Sequence, residues 1–518
     1  MKLSSLSLIK VPIVILVIAS LITLVLWLGF KEKMGDKESR DQGDMAILLS
    51  PLEGDGETTS GTVLLEVDMG NKTRSVNKVE FYSDDGNYLI KSVTAAPFTV
   101  KWETDPWVAD GEQTLLVKVY HDSNEIAELS KTVIIDNRKE ITGNYKKVGY
   151  YTSWSAYMGY YATDIDANKL THINYAFAKI SPDGKIELGD PKVDVHTQLD
   201  GDPDGLPYYG NFYQLNQLKE EYPHIKTLIS VGGGLWSERF SDVALTEHSR
   251  TVFAESVRDF ILTYGFNGVN IDWEYPVAGG EEDNVHRPED KQNYTLLFQK
   301  LRDELDQQGE KDGNEYLVTM AGGAVESFAA NTELGLIQDY VDYIEIMAYD
   351  FHGEWDSYTG LNAPLFQNAF SRNYFEWSIH DAVVMYLSEG VSPEKVILGL
   401  PFYGRTYREV ENEDNGVYQD YYGEGTALSY SEIEEVYVNN DEYVRYFEED
   451  SKVPWLFNGI EFISYDDPES IGYKTSYIRE NGLGGAMMWE LRHDPKSVLL
   501  SEVDERLKKK IKPTNSWN

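Results

Sequence analysis

Asp272 and Glu274 stand two residues apart in the stretch Phe266-Asn267-Gly268-Val269-Asn270-Ile271-Asp272-Trp273-Glu274-Tyr275-Pro276. Val269 and Ile271 are β-branched, which suits a strand, and a strand alternates its faces. Asn270, Asp272 and Glu274 then share one face, and Val269, Ile271, Trp273 and Tyr275 the other. Three polar groups in a row on a buried face are costly unless they meet a partner or a substrate. Residues so spaced on a strand have Cα atoms about 6–7 Å apart. At that range one carboxylate raises the pKa of its neighbour, which then keeps its proton near neutral pH. A carboxylic acid in that state can act as a general acid. An isolated Asp-x-Glu is more often a solvated strand end, so the surrounding chain has to decide the matter.

Such a pair needs rigid elements beneath it. From Tyr145 onward, strand patterns alternate with helical ones, which argues for an α/β fold. Strands are expected at Val148–Tyr151, His172–Ala178, Thr227–Gly233, the central stretch, Leu317–Ala321, Tyr343–Tyr349, Val396–Leu400 and Gly485–Trp489. Between the third and fourth, Phe253, Val257, Phe260, Ile261 and Tyr264 fall on one helical face. Eight strands with intervening helices give a (β/α)₈ TIM barrel over residues 145–510. Reactive groups of that fold gather at the C-terminal ends of its strands, where Glu274 stands.

On Gly268, Asp272 and Glu274, framed by Trp273, Tyr275 and Pro276, the central stretch resembles the signature of family 18 glycoside hydrolases, the chitinase family. That signature runs D-G-x-D-x-D-x-E; Asn267 and Asn270 depart from it, standing where the family usually has Asp. Ser230-Val231-Gly232-Gly233 is similar to the family's S-x-G-G motif, and Met347-Ala348-Tyr349-Asp350 to its M-x-Y-D motif. Tyr403-Gly404-Arg405 after strand seven and Trp489 at the end of strand eight complete the pattern.

The resemblance implies substrate-assisted, retaining hydrolysis of β-1,4 bonds in chitin or its oligomers, without metal or cofactor. It implies Glu274, Asp272 and Tyr349 as catalytic residues. As substrate-binding residues it implies Asn270, Met347, Asp350, Tyr403, Arg405, Trp489, Tyr150, Phe177 and Gly233. Two alternatives stay open: an N-acetylglucosaminidase that cleaves peptidoglycan, and a non-catalytic chitin-binding lectin, which loss of Glu274 would mark. Asn270 can hydrogen-bond Asp272 but carries no charge, so Asp272 is expected to have a lowered pKa for want of a like-charged neighbour.

An insertion of about 406–480 separates strands seven and eight and resembles the α+β insertion of one family branch. It holds Tyr407, Tyr418, Tyr421, Tyr422, Trp455, Phe457 and Tyr465. Half of these are expected to form the insertion's own core and the rest to offer flat faces to sugar rings.

The remainder of the chain bounds the setting. Residues 45–137 carry short strand patterns with turn signals between them and resemble a bacterial immunoglobulin-like β-sandwich. It is read first as a spacer; sugar binding by Trp102 or Trp107 is the sharper possibility, and a core role for Trp102 the commoner one. Residues 11–30 are uncharged and long enough for a membrane anchor, with a cleaved signal as the alternative. Residues 31–44 read as a linker. An extracellular or surface-anchored monomer is expected, touching membrane only through that segment. The 87 acidic against 46 basic residues leave a net charge of −41, which repels nucleic acid and suits a neutral or cationic substrate. With no cysteine, disulfides are excluded. Asp200-Gly201-Asp202-Pro203-Asp204-Gly205 begins like a calcium loop, but its twelfth position is Asn211, and it reads as an acidic loop.

Overall fold

The computed structural model describes residues 48–50, 57–59, 62–68, 76–83, 88–103, 111–121, 124–135, 145–199, 202–368 and 376–508. The apolar segment 11–30, the linker 31–44, Trp107 and the pair Asp200-Gly201 lie outside them. Among the described residues no helix is long and apolar enough to cross a membrane. The chain divides into two compact units, Met1–Asn137 and Arg138–Asn518.

The first unit is all β. One sheet pairs Leu48–Ser50, Thr62–Asp68 and Thr99–Glu103; the other orders Glu57–Thr59, Asn124–Ile135, Gly111–His121, Lys78–Ser83 and Tyr88–Val93. Alternation decides which side chains meet. Val63, Leu65 and Val67 are buried while Leu64 and Glu66 between them are exposed. Phe81, Phe98, Val117 and Ile135 join them in a common core. Trp102 is 3% exposed within that core, so its indole offers no face to a sugar. Two strands of three residues escaped the sequence reading because alternation needs more length than that to show. Tyr88–Val93 was missed as well; it lies at a sheet edge, with Leu89 exposed.

The second unit is a closed barrel of eight parallel strands: β1 Lys146–Thr152, β2 His172–Ile180, β3 Lys226–Gly232, β4 Gly268–Asp272, β5 Leu317–Gly323, β6 Tyr343–Met347, β7 Val396–Pro401 and β8 Gly485–Trp489. Pairing of β8 with β1 and of β1 with β2 closes the ring. Buried on both faces, these strands read as nearly continuous apolar runs. Ile229, Val231, Val269, Ile271, Ile344 and Leu398 are among the residues packed in the large core. Val148, Tyr150, Tyr343, Ile397 and Met487 form a separate cluster.

The helix Glu247–Tyr264 shows how local sequence builds the outer layer. Thr246 caps it, its hydroxyl accepting from the Ser249 N–H at 3.0 Å, and Gly265 ends it at φ 79°. Phe253, Val257, Phe260 and Ile261 are its buried stripe.

The insertion forms a five-stranded sheet, ordered Gly425–Ser429, Tyr403–Arg408, Glu461–Ser464, Val453–Phe457 and Val444–Glu448. It begins at Tyr403, because that strand belongs to the insertion's sheet and not to the barrel. Tyr407, Tyr418, Trp455 and Phe457 pack with Phe462 and Leu361 in its own core. Tyr421 packs partly against that core and Tyr465 joins the large core; Tyr422 is 70% exposed. More of these aromatics are structural than the expected half.

Each unit has its own hydrophobic core, and units of this kind commonly fold alone. Removal of residues 1–137 is therefore expected to leave a soluble, folded barrel. Gel filtration and a circular-dichroism melt check this; aggregation of the fragment would contradict it.

Candidate active site

The C-terminal ends of β3, β4, β6 and β8 surround a cavity of about 310 Å³. Asp272 is the last residue of β4 and is buried in its wall. Glu274 lies just past the strand end, half-buried on the same cavity. Its backbone is held from two sides: its N–H donates to Ser237 Oγ at 2.9 Å, and its carbonyl accepts from Asn284 Nδ2 at 2.8 Å. Ser237 Oγ also donates to the Gly233 carbonyl at 2.9 Å. The loop after β3 is thereby tied to the reactive end of β4.

The glycines of the S-x-G-G motif have a defined use. Gly232 sits at φ 103°, and a Cβ there would meet the Asp272 carbonyl at 2.3 Å. Gly233 sits at φ 75°; its N–H donates to that carbonyl at 2.8 Å, and a Cβ on it would strike the Phe177 ring at 2.7 Å. Only glycine lets the two strand ends approach in this way.

Aromatic rings form much of the wall. Trp489 stacks with Phe177 at a centroid distance of 5.9 Å, and Tyr150 lies 5.1 Å from Trp489. Trp154 stands 6.4 Å from Trp489. Met347, Tyr349, Asp350 and Tyr403 also line it. Asp350 Oδ1 accepts from Tyr403 OH at 2.5 Å and from Arg405 Nε and Nη2 at 3.1 and 2.7 Å. Arg405 also donates to Glu354 at 2.6 Å and is buried. Arg405 is thus placed behind Asp350, outside the cavity lining, where it holds the carboxylate.

Asn270 likewise lies off the cavity, one layer deeper on β4. Its Nδ2 donates to Thr319 Oγ1 at 2.9 Å, and its Oδ1 accepts from Ser230 Oγ at 2.7 Å and Tyr150 OH at 3.2 Å. The expected bond from Asn270 to Asp272 is replaced by these three.

The electrostatics of the pair correct a second expectation. Asp272 is raised, not lowered, well above the usual carboxylate range. Burial is the main cause, followed by the charges of Glu274 and Glu345. Asp272 therefore does not lack like-charged company: Glu345 on β6 supplies it despite the Asn at 270. Burial also pushes Glu274 up to about 7, with Asp350 adding to the rise and a hydrogen bond with Tyr275 opposing it. Asp272 Oδ1 is buried and receives no hydrogen bond from the protein. The hydroxyl of Tyr349 is held well above its ordinary pKa by burial and by the charge of Asp272, so it remains a donor. Chemically the site offers a protonated carboxyl, a second carboxyl with an open acceptor, a phenolic donor and an apolar aromatic wall.

Ser237, Asn284, Trp154, Leu235, Trp236, Tyr275 and Glu345 were not singled out from the sequence as site residues. Ser237 and Asn284 act by hydrogen bonds to backbone, Trp154, Leu235 and Trp236 by lining the cavity, and none carries a spacing signal. Glu345 carried one: a lone acid inside the apolar run Tyr343-Ile344-Glu345-Ile346-Met347. Among the described residues no His, Asp or Glu cluster is arranged to hold a metal ion. At the acidic loop, Asp202 accepts from the Leu199 N–H at 2.9 Å and from Gln214 at 2.7 Å.

Residues 146–494 match the family described as Glycosyl hydrolases family 18, and residues 46–117 match the one described as Bacterial Ig domain. Chitinase A1 of Niallia circulans is 44% identical over 409 residues, covering 70% of this chain and 58% of its own length. Among solved structures, chitinase ChiA74 from Bacillus thuringiensis superposes with a TM-score of 0.68 at 38% identity, covering 72% of this chain and 71% of its own. A family 18 N-acetylglucosaminidase from Paenibacillus barengoltzii superposes with a TM-score of 0.62 at 34% identity, covering 70% of this chain and all of its own.

Proposed function

The chain belongs to glycosyl hydrolase family 18, and we propose that it hydrolyses the β-1,4 bonds of chitin and its N-acetylglucosamine oligomers by substrate-assisted, retaining catalysis. The observation that carries this reading is the carboxyl pair on one cavity. Glu274 is pushed up to about 7, and Asp272 has a carboxylate oxygen open to a donor. Family 18 enzymes stand outside the two-carboxylate scheme of most retaining glycosidases.

Glu274 gives its proton to the glycosidic oxygen as the bond to the anomeric carbon breaks. The substrate's own N-acetyl carbonyl oxygen forms the new bond to that carbon, leaving an oxazolinium ion. Asp272 accepts the N-acetyl N–H and offsets the positive charge. Tyr349 donates to the acetyl oxygen, and Trp489 supplies the apolar floor. Glu274, now ionised, takes a proton from water as the water opens the ring, which restores both the acid and the configuration at the anomeric carbon. Met347, Tyr150 and Phe177 shape the wall of the sugar site. Asp350 and Tyr403 hydrogen-bond the sugar, Arg405 holds Asp350, and Gly233 lets the strand ends approach. Asn270 holds the layer beneath Asp272.

The proposed setting is outside the cell, either released or held at the surface by the apolar N-terminal segment, with the chain acting as a monomer. The net charge of −41 is compatible with a neutral polysaccharide. Residues 45–137 would then serve as a spacer between segment and barrel. The presence of Glu274 speaks against the lectin reading.

Product analysis on chitin oligomers beside purified cell wall tests the substrate. Release of N-acetylglucosamine oligomers from chitin supports the proposal, and release from cell wall alone would replace it with the peptidoglycan reading. The pH dependence follows from Glu274. Its proton is in place below about 7 and lost above it. kcat/KM on a soluble oligomer is therefore expected to fall about tenfold per pH unit on the alkaline side. A flat profile to pH 9 would exclude Glu274 as the acid.

A further inference from the structure

Glu345 is a buried acid to which the mechanism above gives no task. It is the central residue of β6, fully enclosed, and its strand neighbours at the same level are Ala321 of β5 and Ile397 of β7. Only neutral donors hold its carboxylate. Tyr150 OH donates to Oε2 at 2.7 Å, and Asn174 Nδ2 lies 2.8 and 3.0 Å from Oε1 and Oε2. A carboxylate in a dry interior without a cation is costly as an ion, and burial pushes Glu345 up to about 7.

The titratable groups around it come from several strands. Tyr150 and Lys146 lie on β1, His172 on β2, Asp272 on β4 and Tyr343 on β6, with Tyr349 just past the end of β6. Burial and the nearby Lys146 and Lys226 hold His172 down to about 3, so it stays neutral. Lys146 places its Nζ 5.4 Å from the Tyr343 ring centroid and makes no hydrogen bond to Glu345, whose donors are Tyr150 and Asn174. Its pairing neighbours on β5 and β7 are Ala321 and Ile397, neither of which titrates.

Tyr150 connects this acid to the reactive strand. Its one hydroxyl is within reach of both Glu345 Oε2 and Asn270 Oδ1, at 2.7 and 3.2 Å. With a single proton it serves one acceptor at a time. When Glu345 is ionised, the hydroxyl donates to Glu345. When Glu345 is protonated, that acid donates to the Tyr150 oxygen, and the hydroxyl turns its proton to Asn270, next below Asp272 on the same strand face. No proton is lost or gained beyond the one on Glu345.

We propose that Glu345, bridged by Tyr150, is a positioning residue that supplies the second interior charge missing at Asn270, and so sets whether Asp272 is ionised while Glu274 delivers its proton. The proposal rests on the roles given above to Asp272 and Glu274. Two carboxylates in one dry interior ionise in sequence, as a pair. The charge on Glu345 holds the proton on Asp272 to higher pH.

The test is the pH profile of kcat on chitotetraose for the full chain, wild type and Glu345→Gln, at matched salt. Gln keeps an acceptor for Tyr150 but never ionises. The limb carried by Asp272 is expected to move about one pH unit to lower pH, with KM changed less than about threefold. The double variant Glu345→Gln/Asn270→Asp returns a carboxylate to the interior and is expected to move the limb back. Superimposable profiles, or a uniform loss of kcat with the limb in place, would overturn the proposal. If Glu345→Gln does not fold, Tyr150→Phe decides. Loss of the bridging hydroxyl leaves Glu345 protonated to higher pH and should move the limb the same way; an unmoved limb overturns the proposal. Wild-type turnover together with an inactive Glu274→Gln confines any such failure to Glu345. Absence of wild-type turnover would remove the catalytic reading itself.

Discussion

Glu274→Gln lowers kcat on a soluble chitin oligomer by about 10²- to 10⁴-fold, the span attributed to a positioned general acid, while the barrel and its sugar affinity persist. The amide has nearly the shape of the acid, but it carries no proton to the leaving oxygen. Its backbone restraints do not involve the altered group: the Glu274 N–H stays on Ser237 and its carbonyl stays on Asn284. The variant also removes a like charge facing Asp272, which lets Asp272 ionise at lower pH but leaves no acid to begin the reaction. Calorimetric titration with chitotetraose, a circular-dichroism melt and steady-state rates check the three parts. Near wild-type turnover in a folded variant would remove Glu274 from the mechanism.

Asp272→Asn costs about 10²- to 10³-fold in kcat, as for loss of one preorganised group facing a developing charge. The amide oxygen can still accept an N-acetyl N–H, so KM moves less than kcat. What it cannot do is offset the charge of the oxazolinium ion. A second consequence separates this role from mere packing. The charge of Glu274 raises the proton affinity of Asp272 across the cavity they share. With Asn at 272, the limb carried by Asp272 disappears from the kcat profile, while the alkaline limb set by Glu274 stays near its wild-type position. A variant with lowered kcat and both limbs unchanged would show that Asp272 supports the cavity without titrating in the reaction.

The legible parts of the molecule were those where period and chemistry agree. All eight barrel strands were readable because parallel strands buried on both faces leave long apolar runs. Alternation placed Asn270 and Asp272 on the inner face of β4 and Val269 and Ile271 on the outer one. It failed at Tyr275, because β4 ends at Asp272 and residues beyond a strand end need not alternate; Tyr275 lines the same cavity as Glu274. The electrostatics of Asp272 were misjudged because spacing along one strand says nothing of what faces it across a barrel. Glu345 is 73 residues further along the chain, 345 − 272, and only barrel closure brings its charge to bear. The insertion's aromatics were harder still. A ring that packs in a small core and a ring that stacks on sugar have the same composition, and only the sheet around Trp455 and Phe457 separates them.

The composition of newly formed ends tests the central claim most directly. If the N-acetyl oxygen is the nucleophile, the sugar bound beside Glu274 must carry its acetyl group. Digestion of partly deacetylated chitosan, with the new reducing ends labelled and sequenced, is then expected to give N-acetylglucosamine at every new reducing end. Glucosamine at those ends, in the proportion found in the polymer, would contradict substrate assistance and require a nucleophile from the protein.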